Sequence, residues 1–258
     1  MSTPPPEMPH IRPRFADVLA WLRAPRFTAR RERIDALALT HLGTLLAASI
    51  LAMIVALPMI GAVVSGAMGE VPDNVLDEID PVQLLISAVV FAPIIEELAF
   101  RSWLGGPRAV LIGLPVLAGV LALLSAVNAG APEFPLLVGA AVLGVLFGQL
   151  AIRVFKSDPA AVAALRARAF PAILWISVVM FGVMHIANFE GGLSHPVLLL
   201  AVLPQTVIGA VLAYVRMRYG LVAAIGWHGA YNGVLIGLSL WASGAVEAAE
   251  AAGRLLGL

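Results

Sequence analysis

The sequence predicts an all-α fold: a polytopic bundle of about seven transmembrane helices, with its N-terminus in the cytoplasm. Three observations carry this. Of the 258 residues 60% are hydrophobic and only 12% charged, with a mean hydropathy of +0.95, whereas a soluble domain keeps about a quarter of its residues charged. The apolar residues gather in continuous runs near the ~20 residues that cross ~30 Å of hydrocarbon, without the alternation of barrel strands. The basic residues fall almost wholly on one side of those runs.

The elements follow in order. Residues 1–38 form an N-terminal segment. Its proline-rich tip, 1–13, is expected to be disordered. Over 14–38, Phe15, Val18, Leu19 and Leu22 recur at helical spacing among arginines, which predicts an amphipathic helix suited to the membrane surface or to solvent. The first apolar run begins too late and is too long for a signal peptide. Seven runs then read as spans: 39–64, 82–104, 109–127, 134–154, 170–188, 196–214 and 221–241. They make a membrane domain over 39–242, followed by a short C-terminal tail over 243–258.

Orientation comes from the arginines and lysines. Seven basic residues precede the first run. Arg101 and Arg108 follow the second, Arg153, Lys156, Arg166 and Arg168 the fourth, and Arg216 and Arg218 the sixth. Fifteen of the sixteen therefore share one side, which the positive-inside rule makes cytoplasmic. The opposite loops hold Glu70, Asp73, Asp77, Glu78, Asp80, Glu133 and Glu190 and no basic residue. Sixteen basic and sixteen acidic side chains cancel, so nothing calls for a nucleic-acid partner. The chain has no cysteine, which removes disulfides, thiolate metal sites and cysteine nucleophiles. No repeat pairs two halves of the chain, and this weakens a transporter reading.

Ionisable residues inside an apolar run cost several kcal/mol unless paired or hydrated, so each needs a reason. Glu96 and Glu97 interrupt the second run. Adjacent helical residues point about 100° apart, so the two acids are expected to face different neighbours. Glu97 and Arg101, four apart, can pair along one face, which leaves Glu96 as the freer candidate for chemistry. The plainer alternative has both acids hydrated at the interface. Phe181 and His185 share a face near the end of the fifth run, where the ring can dry and orient the imidazole. His228 and Asn232 share a face of the seventh, beside Gly229, Ala230 and Gly233, which permit close approach of a helix or peptide. A polar seam between helices would use the same residues. His10, His41 and His195 are poorer candidates.

If the three faces converge, Glu96 could take a proton from water and His185 could hold that water. His228 with Asn232 could then stabilise the oxyanion of a tetrahedral intermediate. This is equipment for peptide-bond hydrolysis with water as nucleophile. Glu96, His185 and His228 are also an open zinc set with room for water, although the H-E-x-x-H helix is absent. The residues alone leave the metal-bound and glutamate-activated versions open.

Glu96-Glu97-x-x-x-Arg101, Phe181-x-x-x-His185 and His228-x-x-x-Asn232, in this order on apolar helices, resemble the three motifs of the CPBP family. That family comprises CAAX-prenyl-endopeptidase-like and bacteriocin-processing intramembrane proteases. The resemblance covers roughly residues 82–241 and implies an α-helical membrane protease whose site opens towards the cytoplasm. It implies that Glu96 and His185 activate water, that His228 and Asn232 form the oxyanion site, and that Glu97 and Arg101, with Phe181, support them. It inclines the reading to a glutamate-dependent enzyme without a cofactor, with zinc or another divalent metal as the alternative.

The expected activity is thus endoproteolysis of membrane-associated peptides or proteins, in a cell membrane. A non-catalytic immunity factor or helper is the rival from another class. A proton-coupled transporter with Glu96 as carrier and a lipid-ester hydrolase are further alternatives. Two expectations bear on geometry. The separation of Glu96 from His185 holds two extra spans. Counting turns also puts His185 about four turns from the cytoplasmic surface, but Glu96 and His228 only about two.

Overall fold

The computed structural model describes residues 15–27, 31–69, 73–105, 159–189 and 195–256, and among these all regular structure is helical. Among the same residues, extended backbone pairs in an isolated bridge between Asn74 and Phe189. The expected spans 109–127 and 134–154 lie outside the described residues.

Among the described residues, five helical stretches are long and apolar enough to cross a membrane: Ala36–Met68, Pro81–Phe100, Ala167–Asn188, Leu198–Tyr219 and Leu221–Gly244. They correspond to the first, second, fifth, sixth and seventh expected spans. The protein is a multi-pass, all-α membrane protein. We label the helices α1 (Phe15–Arg23), α2 (Ala36–Met68), α3 (Pro81–Ile86), α4 (Ala92–Phe100), α5 (Pro159–Met184), α6 (Leu198–Ala201), α7 (Leu203–Tyr219) and α8 (Leu221–Leu256).

Local chemistry explains the ends. Asp35 caps α2 by accepting from Ala38 N at 2.9 Å, and Gly69 closes it at φ 85°, where a side chain would be strained. Asp80 caps α3 by accepting from Val82 N and Gln83 N, with Pro81 in the first turn. α7 turns into α8 through Gly220 at φ 107°. The second span ends at Phe100, earlier than the expected 104, because Ser102–Gly105 tightens into a 3₁₀ turn. The first and sixth spans run longer than expected and α8 continues to Leu256. Of the stretch 14–38, Phe15–Arg23 is helical before α2 begins at Ala36. α1 packs on α7, with Val18 2% exposed and Trp21 edge-on to Tyr214.

Between α3 and α4 the helix widens into a π turn over Ser87–Phe91. Pro93 accounts for it once the helix register is known. Ala92 gives its N–H to Ser87 O, and Pro93 has none to give. The Ala88 carbonyl is therefore left without a helical donor in either register, and Asn232 Nδ2 of α8 donates to it at 2.8 Å. Gly229, one turn before Gly233 on α8, lies so close that a Cβ there would meet Val89 O at 2.6 Å. The turn and the small face of α8 fit together.

The core joins α2, α4, α5, α7 and α8. Leu45, Phe100, Phe181, Leu212, Val215, Ala224 and Trp227 are all buried in one cluster. Outside it, Leu51, Ile54, Val55, Met59 and Val63 of α2 are exposed, as lipid-facing side chains should be.

Candidate active site

The site is built where α4, α5 and α8 meet. Glu97 is fully buried, and its Oε1 takes Arg101 Nη1 at 3.1 Å and faces His228 Nδ1 at 3.2 Å. The pairing of Glu97 with Arg101 is the one expected from their spacing. Glu96 differs from expectation. It turns to the same histidine rather than to another neighbour, with Oε2 3.7 Å from His228 Nε2. An imidazole carries nitrogens on two edges, so acids 100° apart on one helix can straddle a single ring. Glu96 is 16% exposed and Glu97 0%. Oε2 of each acid is without a protein hydrogen bond, so it is the exposure of Glu96 that makes it the carboxylate with access to a small molecule.

Arg101 is wholly buried. Its guanidinium lies 3.8 Å from the centroid of the Phe181 ring, a cation–π contact in a desolvated setting, and Nη2 donates to Gly209 O at 3.3 Å. A Cβ at Gly209 would meet Phe181 Cδ1 at 2.9 Å and Arg101 Nη2 at 3.2 Å, so α7 needs glycine there to reach the centre. One turn back on α7, the Thr206 side chain fills the space that a Cβ at Gly182 of α5 would need.

The Phe181 ring is the hub. It packs edge-on to Phe100 at 5.6 Å, to His185 at 4.8 Å and to His228 at 5.8 Å. The two imidazoles thus share one aromatic neighbour, and Glu96 lies within electrostatic reach of His185. The expected two-turn offset in depth does not keep them apart. α5 begins earlier than the expected fifth span, at Pro159. Turn counting assumes spans whose ends lie in one plane, and the direct Phe100–Phe181 contact shows that they do not.

His185 opens a 3₁₀ turn, His185–Asn188, at the end of α5. Its Nδ1 donates to Phe181 O at 2.7 Å. That bond fixes the tautomer: the proton is on Nδ1, and Nε2 is left as an acceptor. Asn232 shares the face of His228, but one N–H of its amide goes to Ala88 O, leaving the other N–H and Oδ1. Among the described residues no three His, Asp or Glu side chains are grouped closely enough to hold a metal ion; a set of Glu96, His185 and His228 would have to draw together first.

Two supporting residues carry no motif and were missed in the sequence. Ser177 Oγ donates to Phe100 O at 2.5 Å, and Arg216 Nε donates to Arg101 O at 3.1 Å. Ser177 stands one turn before Phe181, so the stripe Ser177, Phe181, His185 at steps of four was its available signal. The lesser histidines lie elsewhere. His41 is buried and bonded through Nδ1 to Tyr219 Oη at 2.6 Å, and His195 is exposed.

An adjacent acid pair, two imidazoles and an arginine thus meet across three apolar helices, and the class these helices define is a multi-pass membrane protein with a polar centre. The comparison with known families gives the narrower statement. The model described as type II CAAX prenyl endopeptidase Rce1-like matches residues 78–234, and the chain belongs to this family. The resemblance carried by the three motifs holds, and the protein is in general terms a CAAX-type intramembrane endopeptidase. No curated protein and no solved structure matches the chain.

Proposed function

We propose that the protein hydrolyses peptide bonds of membrane-associated substrates with a water activated by Glu96. Glu96 takes the proton as the water oxygen attacks the scissile carbonyl, then returns it to the departing amine. His185 Nε2 accepts a hydrogen bond from that water. His228 and the remaining N–H of Asn232 face the oxygen on which charge develops. Glu97 and Arg101 hold His228 and the end of α4 in place. The single observation that carries this reading is the Glu96 carboxylate: partly exposed, 3.7 Å from His228 Nε2, with a buried oxygen that bonds to no protein group.

The proposed setting is a cell membrane, with the N-terminus and the open end of the site on the cytoplasmic side, as the basic loops favour. The natural probe for the family is a quenched-fluorescent peptide ending in a prenylated CAAX sequence. With full-length protein in lipid nanodiscs, Glu96→Gln is expected to lower turnover by about 10²–10⁴-fold, the worth of a general base, with an unchanged melting temperature. Turnover at the unsubstituted level in E96Q would sink the mechanism. A fall in melting temperature that tracks the lost activity would favour a merely structural seam.

A further inference from the structure

The end of α4 is held by groups that no motif contains. The carbonyls of Phe100, Arg101 and Ser102 lie where the second span tightens into its closing turn, and that of Arg101 also accepts from Leu104 N at 3.2 Å. Side chains from two other helices also donate to each of the three. Ser177 Oγ of α5 donates to Phe100 O at 2.5 Å, Arg216 Nε of α7 donates to Arg101 O at 3.1 Å, and Arg216 Nη2 donates to Ser102 O at 3.4 Å. Arg216 is 3% exposed, and among the described residues no carboxylate lies within ion-pair distance of it. A buried guanidinium without an acid is costly. Here the carbonyl end of the Pro81–Phe100 span, the negative end of its dipole, takes the place of a counter-ion.

We propose that Arg216 is a positioning residue for the endopeptidase centre. By holding the backbone of Arg101 and Ser102 it fixes the axial position of α4, and with it the meeting of Glu96 and Glu97 with His228. The proposal rests on the function given above. Arg101 is held at both ends: its carbonyl by Arg216, its guanidinium by Glu97, Gly209 O and the Phe181 ring. Glu97 stands one turn back on the same helix, so a shift of the α4 terminus moves it against His228 on α8. Arginine is the residue type this needs. Its planar fork meets two successive carbonyls at once, whereas a lysine ammonium is a point charge on a flexible stem.

The test uses full-length Arg216→Gln and Arg216→Lys in nanodiscs, with two readouts. One is kcat and KM on the quenched-fluorescent farnesylated CAAX peptide. The other is the ¹⁵N resonance of His228 Nδ1, assigned by its loss in His228→Gln, which reads the Glu97 contact without any cleavage. R216Q is expected to lose about 100-fold in kcat, the cost of roughly an ångström of misplacement, with KM little changed and the His228 resonance moved. R216K is expected to recover part of both. A wild-type kcat with an unmoved His228 resonance in R216Q overturns the proposal; if R216Q does not fold, the same result in R216K does so. Activity that falls only in step with the amount of folded protein also overturns it. Glu96→Gln on the same peptide separates the two readings: retained turnover there refutes the Glu96 mechanism, and the His228 resonance still decides the role of Arg216.

Discussion

At the scale of single residues, the centre distributes one negative charge among several buried partners. Glu97 Oε1 faces both Arg101 and His228, so its removal leaves a wholly buried guanidinium without a carboxylate. Glu97→Ala is expected to cost about 3–5 kcal/mol, read from denaturant unfolding of the detergent-solubilised protein. A loss within the error of the measurement would mean that Arg101 finds another acid. Glu96 contrasts with it in being partly exposed and in making no contact with Arg101 within ion-pair distance. The adjacent acids therefore separate in effect: Glu97→Ala in folding, Glu96→Gln in turnover.

At the scale of elements, the π turn is the feature that fits α8 to the α3–α4 segment. Gly229 is expected to be intolerant, because the obstacle to a Cβ is the Val89 backbone oxygen at 2.6 Å. Gly229→Ala should destabilise the fold by about 1–3 kcal/mol and lower turnover. Gly226→Ala meets nothing within 4 Å and should stabilise α8 by about 0.5–1 kcal/mol. Equal melting temperatures for the two variants would refute the packing argument. The sequence made the spans legible because continuous apolar runs have a length set by the bilayer, and the i, i+4 pairs legible because helical spacing puts them on one face. Glu97–Arg101 and Phe181–His185 follow from that alone. What stayed hidden depends on contacts between helices. The joint approach of Glu96 and Glu97 to His228 needs α8 in place, and the tie from Asn232 to Ala88 O needs a π turn whose cause, Pro93, became readable only with the helix register known. Arg216 acts on carbonyls, which no pattern of side chains announces, and Ser177 is signalled only by its place in the stripe with Phe181 and His185.

At the scale of the molecule, the basic residues give a sidedness that can be measured. The chain lacks cysteine, so single substitutions report cleanly. Arg33→Cys before α2 and Ser243→Cys near the end of the last span replace exposed residues. With right-side-out vesicles, an impermeant maleimide is expected to label Ser243→Cys at once and Arg33→Cys only after permeabilisation. Labelling of both from one side would refute an odd number of crossings. The hub at Phe181 extends the same reasoning across the bundle, since it touches groups on three separate spans. Thermodynamic cycles drawn between any two of its neighbours will share that ring as a hidden third party. Their coupling energies should consequently fail to add, and epistasis among distant positions in this protein should concentrate on pairs that Phe181 connects.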